Sequence, residues 1–226
     1  MALADDLLDF DLSKYRVGSL PRLYYIPDYI TSDVEERLLQ KTFEKKAKWV
    51  KLSGRQSQYH GGMIHGNFLI QVPLPDWLED LTERMNEHTD IFGGNPPNHV
   101  LVNAYKPGQG IMPHEDGPLY FPGVCILSLG APAVIRFWER CQCTNAPPLI
   151  SIYLAPKSLL VFSEAAYEKC LHGIHEVEEE VIDATVANAE ASGLYYGQSI
   201  ARQRARISLT VRRVLKVKKN ILRLMQ

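Results

Sequence analysis

From His99 onward the chain is built of short apolar segments: HVLVNAY, GVCILSLG, AVIRFWER, LISIYLA, SLLVFS and RARISLTVRRV. Gly and Pro separate several of them, as in SLGAPA and LAPKS. Many short strands with such turns argue for a sandwich, a jelly roll or a small barrel. No internal repeat divides them, and 226 residues suffice for one sizeable core or at most two small ones.

The first half reads instead as mixed helix and loop. Ser32 with Glu35 three residues on has the form of a capping box. Val34, Leu38, Leu39 and Phe43 then mark an apolar stripe, and EKKAK closes the helix with positive charge, as the helix dipole prefers. A second helix is expected after Pro75, with Asp76 as cap and Trp77, Leu78, Leu81 and Met85 inward. Glu176 to Gln203 opens with EVEEEVID and continues through small and polar residues, which reads as a long surface excursion between two strands.

Composition narrows the function classes. No apolar run approaches the ~20 residues that span a bilayer. Asp5, Asp6, Asp9 and Asp11 stand where an export signal would carry positive charge, so cytoplasm and nucleus are the expected locations. Cys125, Cys141, Cys143 and Cys170 suit free intracellular thiols better than a disulfide scaffold. Cys141 and Cys143 form a C-x-C pair, but the second cluster of a structural zinc site is missing. A net charge of −1 gives the whole molecule no polyanion-binding signature. Its distribution is uneven: Arg202, Arg204, Arg206, Arg212, Arg213, Lys216, Lys218, Lys219 and Arg223 fall in a run without a carboxylate. Two readings of that run stand, a solvated basic strand and tail or a patch facing nucleic acid.

Two His-x-Asp triplets occur, His88 with Asp90 and His114 with Asp116. The first lies at the end of the expected second helix, where residues two apart point to nearly opposite sides; it reads as a solvated helix end. The second follows HVLVNAY and the turn KPGQG. In extended chain, positions i and i+2 point the same way and can chelate together. Downstream, His172 and His175 offer a third ligand, but an odd separation puts them on opposite faces of a strand. His172 follows SLLVFS closely and has Gly173 beside it, whereas His175 runs into the acidic segment. His114, Asp116 and His172 thus form a candidate two-histidine, one-carboxylate triad, the set of non-haem Fe(II) oxygenases; a zinc hydrolase uses the same ligand types.

RARISLTVRR discriminates between them. Arg206, Ser208, Thr210 and Arg212 share one face, and Ile207, Leu209 and Val211 the other. Taken alone this is a half-exposed strand with a polar outer face. Asn103 and Tyr105, just before the metal pair, also share a face. Together these residues supply guanidinium forks, hydroxyls and an amide for a small dicarboxylate beside the metal.

The order N-x-Y, H-x-D, HG-I and R-x-S-x-T-x-R resembles the AlkB family of Fe(II)/2-oxoglutarate dioxygenases. YYIPDYITSDVEE is similar to the family's entry segment, and GRQSQYHGG to its nucleotide-recognition lid. The resemblance runs from about Tyr24 to Arg213. It implies a mainly β, double-stranded β-helix (jelly roll) with flanking N-terminal helices. One domain at 21–226 would follow an extension at 1–20, with a lid-like loop at 53–63 and the excursion at 176–203. Iron would be bound by His114, Asp116 and His172. Asn103, Tyr105, Arg206 and Ser208 would bind 2-oxoglutarate, with Arg206 on its distal carboxylate and Arg212 near its other end. Arg55, Gln58, Tyr59 and His60 in the lid would face a substrate base. The implied reaction, with O2 as oxidant, oxidises N-alkyl groups on nucleobases or on protein. An inactive scaffold used as a binding module is the rival class.

Three departures qualify the resemblance. Ser208 stands where the last motif usually has Asn, which shortens the reach. His172 and Arg206 lie 34 positions apart, a long gap whose acidic start would repel a nucleic-acid backbone and could serve a protein partner instead. Tyr59 is the only aromatic in the lid, so single-stranded or flipped-out substrates fit better than intact duplex, whose unstacking takes a few kcal/mol. No membrane partner is expected, and a monomer is.

Overall fold

The computed structural model describes residues 10–44, 49–140 and 146–219. Its strands are β1 (Leu23–Ile26), β2 (Val50–Leu52), β3 (Arg55–His60), β4 (Gly62–His65), β5 (Phe68–Gln71), β6 (His99–Tyr105), β7 (Ile111–His114) and β8 (Gly123–Leu129) in the first part of the chain. They continue with β9 (Ala133–Glu139), β10 (Ile150–Leu154), β11 (Leu159–Ser163), β12 (Cys170–Ile174), β13 (Glu179–Val181), β14 (Ser199–Ala201), β15 (Arg206–Arg212) and β16 (Val217–Lys219). Helices α1 (Ser32–Phe43), α2 (Asp76–Thr89) and the single-turn α3 (Ala165–Glu168) complete it. A seven-stranded sheet, β1-β11-β8-β15-β6-β3-β2, faces a four-stranded one, β10-β9-β12-β7. This is the mainly β jelly roll expected from the short apolar segments.

Alternation along the strands divides the interior in two. Val100, Val102, Cys125, Leu127, Leu129, Ile207, Leu209 and Val211 form the outer face of the large sheet, and α1 and α2 cover it with Val34, Leu38, Leu78, Leu81 and Met85. Between the sheets, Ile126, Ile135, Phe137, Ile152, Leu160 and Phe162 fill the space toward β1 and β11. At ~25 cal/mol per Å² of apolar surface removed from water, each such side chain contributes about 1.5–3 kcal/mol. Every residue of β15 is buried, so the half-exposed strand of the sequence reading is corrected: one face meets helices and the other lines a cavity.

The helix starts differ from expectation by one position. Thr31, not Ser32, caps α1, its Oγ1 accepting from the Val34 N–H at 3.3 Å. Glu35 does not close a box; it accepts from the Gly130 N–H at 2.8 Å and ties the helix to the turn between β8 and β9. α2 begins after Pro75 without a side-chain cap, and Asp76 contributes only its charge to the first turn. The first half also holds more strand than periodicity predicted. RQSQYH is not a loop but β3, paired through five positions to β6. Its residues are polar on both faces, which hides a strand from any hydrophobic pattern.

The excursion is packed rather than merely exposed. β13 pairs with β14, and Ile182, Val186 and Ala189 form a small core with Val134 on the outside of the four-stranded sheet. Inside it, the fully buried Glu180 binds both Arg136, at 3.3 Å, and Arg202. His88 likewise is no solvated helix end: it stacks on Phe10 at 4.2 Å, and burial lowers its pKa. Of the cysteines, Cys125 and Cys170 are free and buried, whereas Cys141 and Cys143 lie outside the described residues, as does Arg223. No described helix is long and apolar enough to cross a membrane.

Candidate active site

β7 and β12 are neighbours in the four-stranded sheet, and their pairing sets His114 directly opposite His172. The two rings lie 4.4 Å apart, centroid to centroid. Asp116 follows just past the end of β7. Arg212, at the end of β15 in the opposite sheet, donates from Nη1 to Asp116 Oδ1. The potential ligand atoms of His114, Asp116 and His172 all lie within 4.8 Å of one another. Strand parity therefore does not place the carboxylate; an ion pair across the sandwich does.

The donor set fits a divalent metal. Asp116 Oδ2 is buried and has no hydrogen-bond partner, a position that is costly unless something cationic completes it. His114 Nδ1 lies 2.9 Å from the Met112 carbonyl; a carbonyl only accepts, so Nδ1 carries the proton and Nε2 keeps its lone pair for an ion. Burial pushes the His172 pKa down to about 4, with the neighbouring His114 and Arg212 adding to the effect against Asp116. It is neutral at pH 7, as a ligand must be. Burial alone would raise the Asp116 pKa, but Arg212 and then the two imidazoles hold it below the ordinary carboxylate value.

A cavity of about 240 Å³ opens beside the triad, lined by Asn103, Tyr105, Arg206, Ser208 and Thr210 among others. Arg206 lies deep in this wall, only 3% exposed. Its Nη2 donates to Ser128 Oγ at 2.9 Å, its Nε has no partner, and Tyr105 lies under it at 5.7 Å. Desolvation lowers its pKa to about 10, so it stays charged at neutral pH. Among the described residues no carboxylate pairs with it, and a buried guanidinium in that state calls for an anion. Asn103 stands opposite Ser208 in the ladder. Its Oδ1 accepts from Ser57 Oγ at 2.7 Å and from Arg55 Nε at 3.3 Å. Those two donors fix the amide orientation and leave Nδ2 as the free donor.

The lid residues separate by parity. Arg55 lines the cavity with Asn103, and Tyr59 reaches the surface 6.3 Å from the His99 ring. Gln58 and His60 are corrected: they point to the other face of β3. Gln58 Nε2 donates to the Thr42 carbonyl at the end of α1, and His60 contacts Gln58 and the edge of Trp77. Sequence reasoning also missed Ser57, Ser128 and Tyr120, whose ring lies 4.0 Å below the Arg212 guanidinium. Ser128 had a signal, a lone hydroxyl inside the apolar run GVCILSLG; Tyr120 sits in a loop and had none.

The comparisons with known proteins agree with this geometry. The 2OG-Fe(II) oxygenase superfamily model matches residues 19–212. "Probable RNA/DNA demethylase ALKBH6" of Danio rerio is 41% identical over 217 residues, covering 92% of each chain. An uncharacterised protein, L905, of Acanthamoeba polyphaga mimivirus is 32% identical over 90% of each. Among solved structures, OsALKBH1 superposes with a TM-score of 0.56 at 17% identity, over 88% of this chain and all of that one. A Pseudomonas putida prolyl-4-hydroxylase does so with 0.52 at 12%, over 85% and 92%; both show the shared fold. With the family model spanning most of the chain and a relative 41% identical over 92% of it, and a triad beside a buried arginine on the same jelly roll, the chain belongs to the AlkB family of 2-oxoglutarate- and Fe(II)-dependent dioxygenases.

Proposed function

We propose that the chain oxidises N-alkyl groups on nucleobases of single-stranded or flipped-out nucleic acid, acting as a monomer in the cytoplasm and nucleus. The carrying observation is a pair of tyrosine rings on either side of the buried His99. Tyr120 lines the cavity under Arg212, the fully buried His99 ring lies 5.9 Å from Tyr120, and Tyr59 stands beyond His99 with 45% of its surface exposed. The exposed Tyr59 ring offers planar contact to an unstacked base. The printed names of relatives support the same class: an RNA/DNA demethylase in Danio rerio and a tRNA methyltransferase, alkbh8, in Xenopus tropicalis.

Each residue then has a defined task. His114, Asp116 and His172 would hold Fe(II), which supplies the redox chemistry that turns O2, 2-oxoglutarate and an N-alkyl group into succinate, carbon dioxide and an N-hydroxyalkyl group. Loss of aldehyde from that product returns the N–H. Arg206 binds the distal carboxylate of 2-oxoglutarate, with Tyr105 and Ser128 shaping its position. Asn103 and Ser208 contribute hydrogen bonds from the facing strand. Arg212 neutralises Asp116 on one side, through Oδ1, and leaves Oδ2 as the oxygen that would bind the ion.

The test is release of formaldehyde from N-methylated single-stranded oligonucleotides and from N-methylated peptides, with His114→Ala as control. Turnover confined to oligonucleotides and lost in His114→Ala is expected. Turnover confined to peptides would replace the substrate class while leaving the chemistry intact.

A further inference from the structure

Asp116 is the one ligand of the three that no strand holds. His114 ends β7 and His172 lies within β12, whereas Asp116 and Gly117 follow β7 in an open turn. Gly117 has φ +83°, with nothing within 4 Å of the place a Cβ would take, so glycine serves the backbone angle alone. Further on the chain is tied down at Leu119, whose carbonyl accepts from the Leu215 N–H at 3.1 Å. Arg212 binds Oδ1 of Asp116. That ion pair fixes one oxygen of the carboxylate and not the backbone that carries it.

A second tie reaches the backbone. Tyr167, in the single-turn α3, donates from its hydroxyl to the Gly117 carbonyl at 2.8 Å. α3 connects β11 to β12, so the residue that grips the carbonyl after Asp116 stands five positions before His172. The turn it belongs to is itself anchored. Ala166 is fully buried between the sheets, and the Arg140 N–H, just past β9, donates to the Lys169 carbonyl at 2.9 Å. The Tyr167 ring packs against Leu69, Tyr120 and Val214. There the small sheet made by the β4–β5 hairpin and by β16, parallel to β5, meets the jelly roll. Burial, and next the Asp116 carboxylate, raise the Tyr167 pKa above the ordinary phenol value, so the hydroxyl keeps the proton it donates. Phenylalanine would serve the packing equally well. The hydroxyl adds a directional tie, running from the connection that carries the third ligand to the turn that carries the second.

We infer that Tyr167 is a positioning residue for the metal: through the Gly117 carbonyl it sets where Asp116 Oδ2 lies relative to the His172 ring. Arg212 holds the carboxylate from the large sheet and Tyr167 holds its backbone from the approach to β12. The free oxygen is thereby kept within reach of both imidazoles. Groups outside the ligand set act on metal affinity without touching the ion, and their loss typically weakens it about 10–100-fold. The role is the same whichever substrate the site takes.

The experiment titrates the metal-free protein with Mn(II), followed by loss of the free-ion paramagnetic signal, and with Co(II), followed by its visible absorption. Neither readout needs turnover. The parent is compared with Tyr167→Phe, which removes only the hydroxyl, and with Tyr25→Phe. The Tyr25 hydroxyl accepts from the Ala155 N–H at 3.3 Å and does not line the cavity, so its variant loses a tyrosine hydrogen bond away from the site. His114→Ala gives the baseline for ions bound elsewhere. Tyr167→Phe should weaken Mn(II) binding about tenfold, the lower end of that range, and shift the Co(II) bands, which follow the placement of the ligands. Tyr25→Phe should leave both as in the parent, with a melting temperature no higher than that of Tyr167→Phe. Mn(II) affinity and Co(II) bands unchanged in Tyr167→Phe overturn the inference. So does an equal loss of affinity in Tyr25→Phe, which would mark a general loosening of the fold.

Discussion

Two buried arginine systems lie within one jelly roll, and they differ in one respect. Around Glu180 the charges are closed: Arg136 and Arg202 share its carboxylate, and Arg202 also donates to the carbonyls of Gln109 and His175. Around Arg206 the circuit is open, with a serine hydroxyl and an aromatic face but no carboxylate. The first arrangement holds the excursion to the four-stranded sheet. The second is unfinished until a ligand arrives. Burial of arginine alone would not tell structure from function, and both Arg202 and Arg206 keep an unpartnered Nε; the carboxylate beside one and not the other does.

That contrast can be broken from either side. Glu180→Gln leaves two buried guanidinium groups without a counter-charge and should remove about 3–5 kcal/mol of folding stability, read by chemical denaturation. The 2-oxoglutarate affinity of the protein that remains folded should barely change. Arg206→Gln should do the reverse. Its loss of about 2–5 kcal/mol falls on co-substrate binding, a Kd weaker by about thirtyfold to a few thousandfold at ~1.4 kcal/mol per decade, with the melting temperature of the ligand-free protein held or raised. Equal effects of both variants on both measurements would erase the distinction between closed and open.

Smaller changes sharpen it. Ser57→Ala removes one of the two donors that fix the Asn103 amide, and should raise the KM for 2-oxoglutarate by the equivalent of about 1 kcal/mol with kcat nearly constant. A fall in kcat at constant KM would place Asn103 elsewhere in the reaction. His99, opposite Arg212 at the other end of the β6–β15 ladder, provides a pH readout. Its folded pKa is depressed to about 3 by burial and by Arg212, so on acidification the unfolded chain takes up the proton first. Stability is thus full above the ordinary imidazole value of about 6.5 and declines from there down toward pH 3. One unit below 6.5 the loss is about 1.4 kcal/mol, and His99→Phe should flatten that part of the curve.

How far these features were legible in the sequence depended on parity. β15 could be read because Ile207, Leu209 and Val211 are apolar and the residues between them are not. The same alternation separated His172 from His175 and placed Asn103 with Tyr105. β3 could not be read, because Gln58 and His60 are polar residues buried against helix ends and look no different in sequence from Arg55 and Ser57 on the cavity side. Asp116 was found by the wrong route: the spacing from His114 suggested one strand, whereas Arg212 reaches across from the other sheet to hold it. The packing of the excursion was hidden because its core is small and the acid that anchors it, Glu180, sits in a run of acids that reads as solvent-exposed.

The small three-stranded sheet also bears on motion. β3 leads through Gly61 into β4, and β15 leads through Val214 into β16, so the hairpin is stitched to the large sheet along two seams. The Leu69 N–H donates to the Lys216 carbonyl at 2.8 Å and the Val72 N–H to the Gly61 carbonyl at 2.9 Å, so each crossing is bonded to β5 or its end as soon as it enters the small sheet. A flap hinged at a single edge can swing; a panel reached by two chain crossings lifts only by moving both. Turning of the exposed Tyr59 side chain, on the fast timescale of rotamers, moves neither.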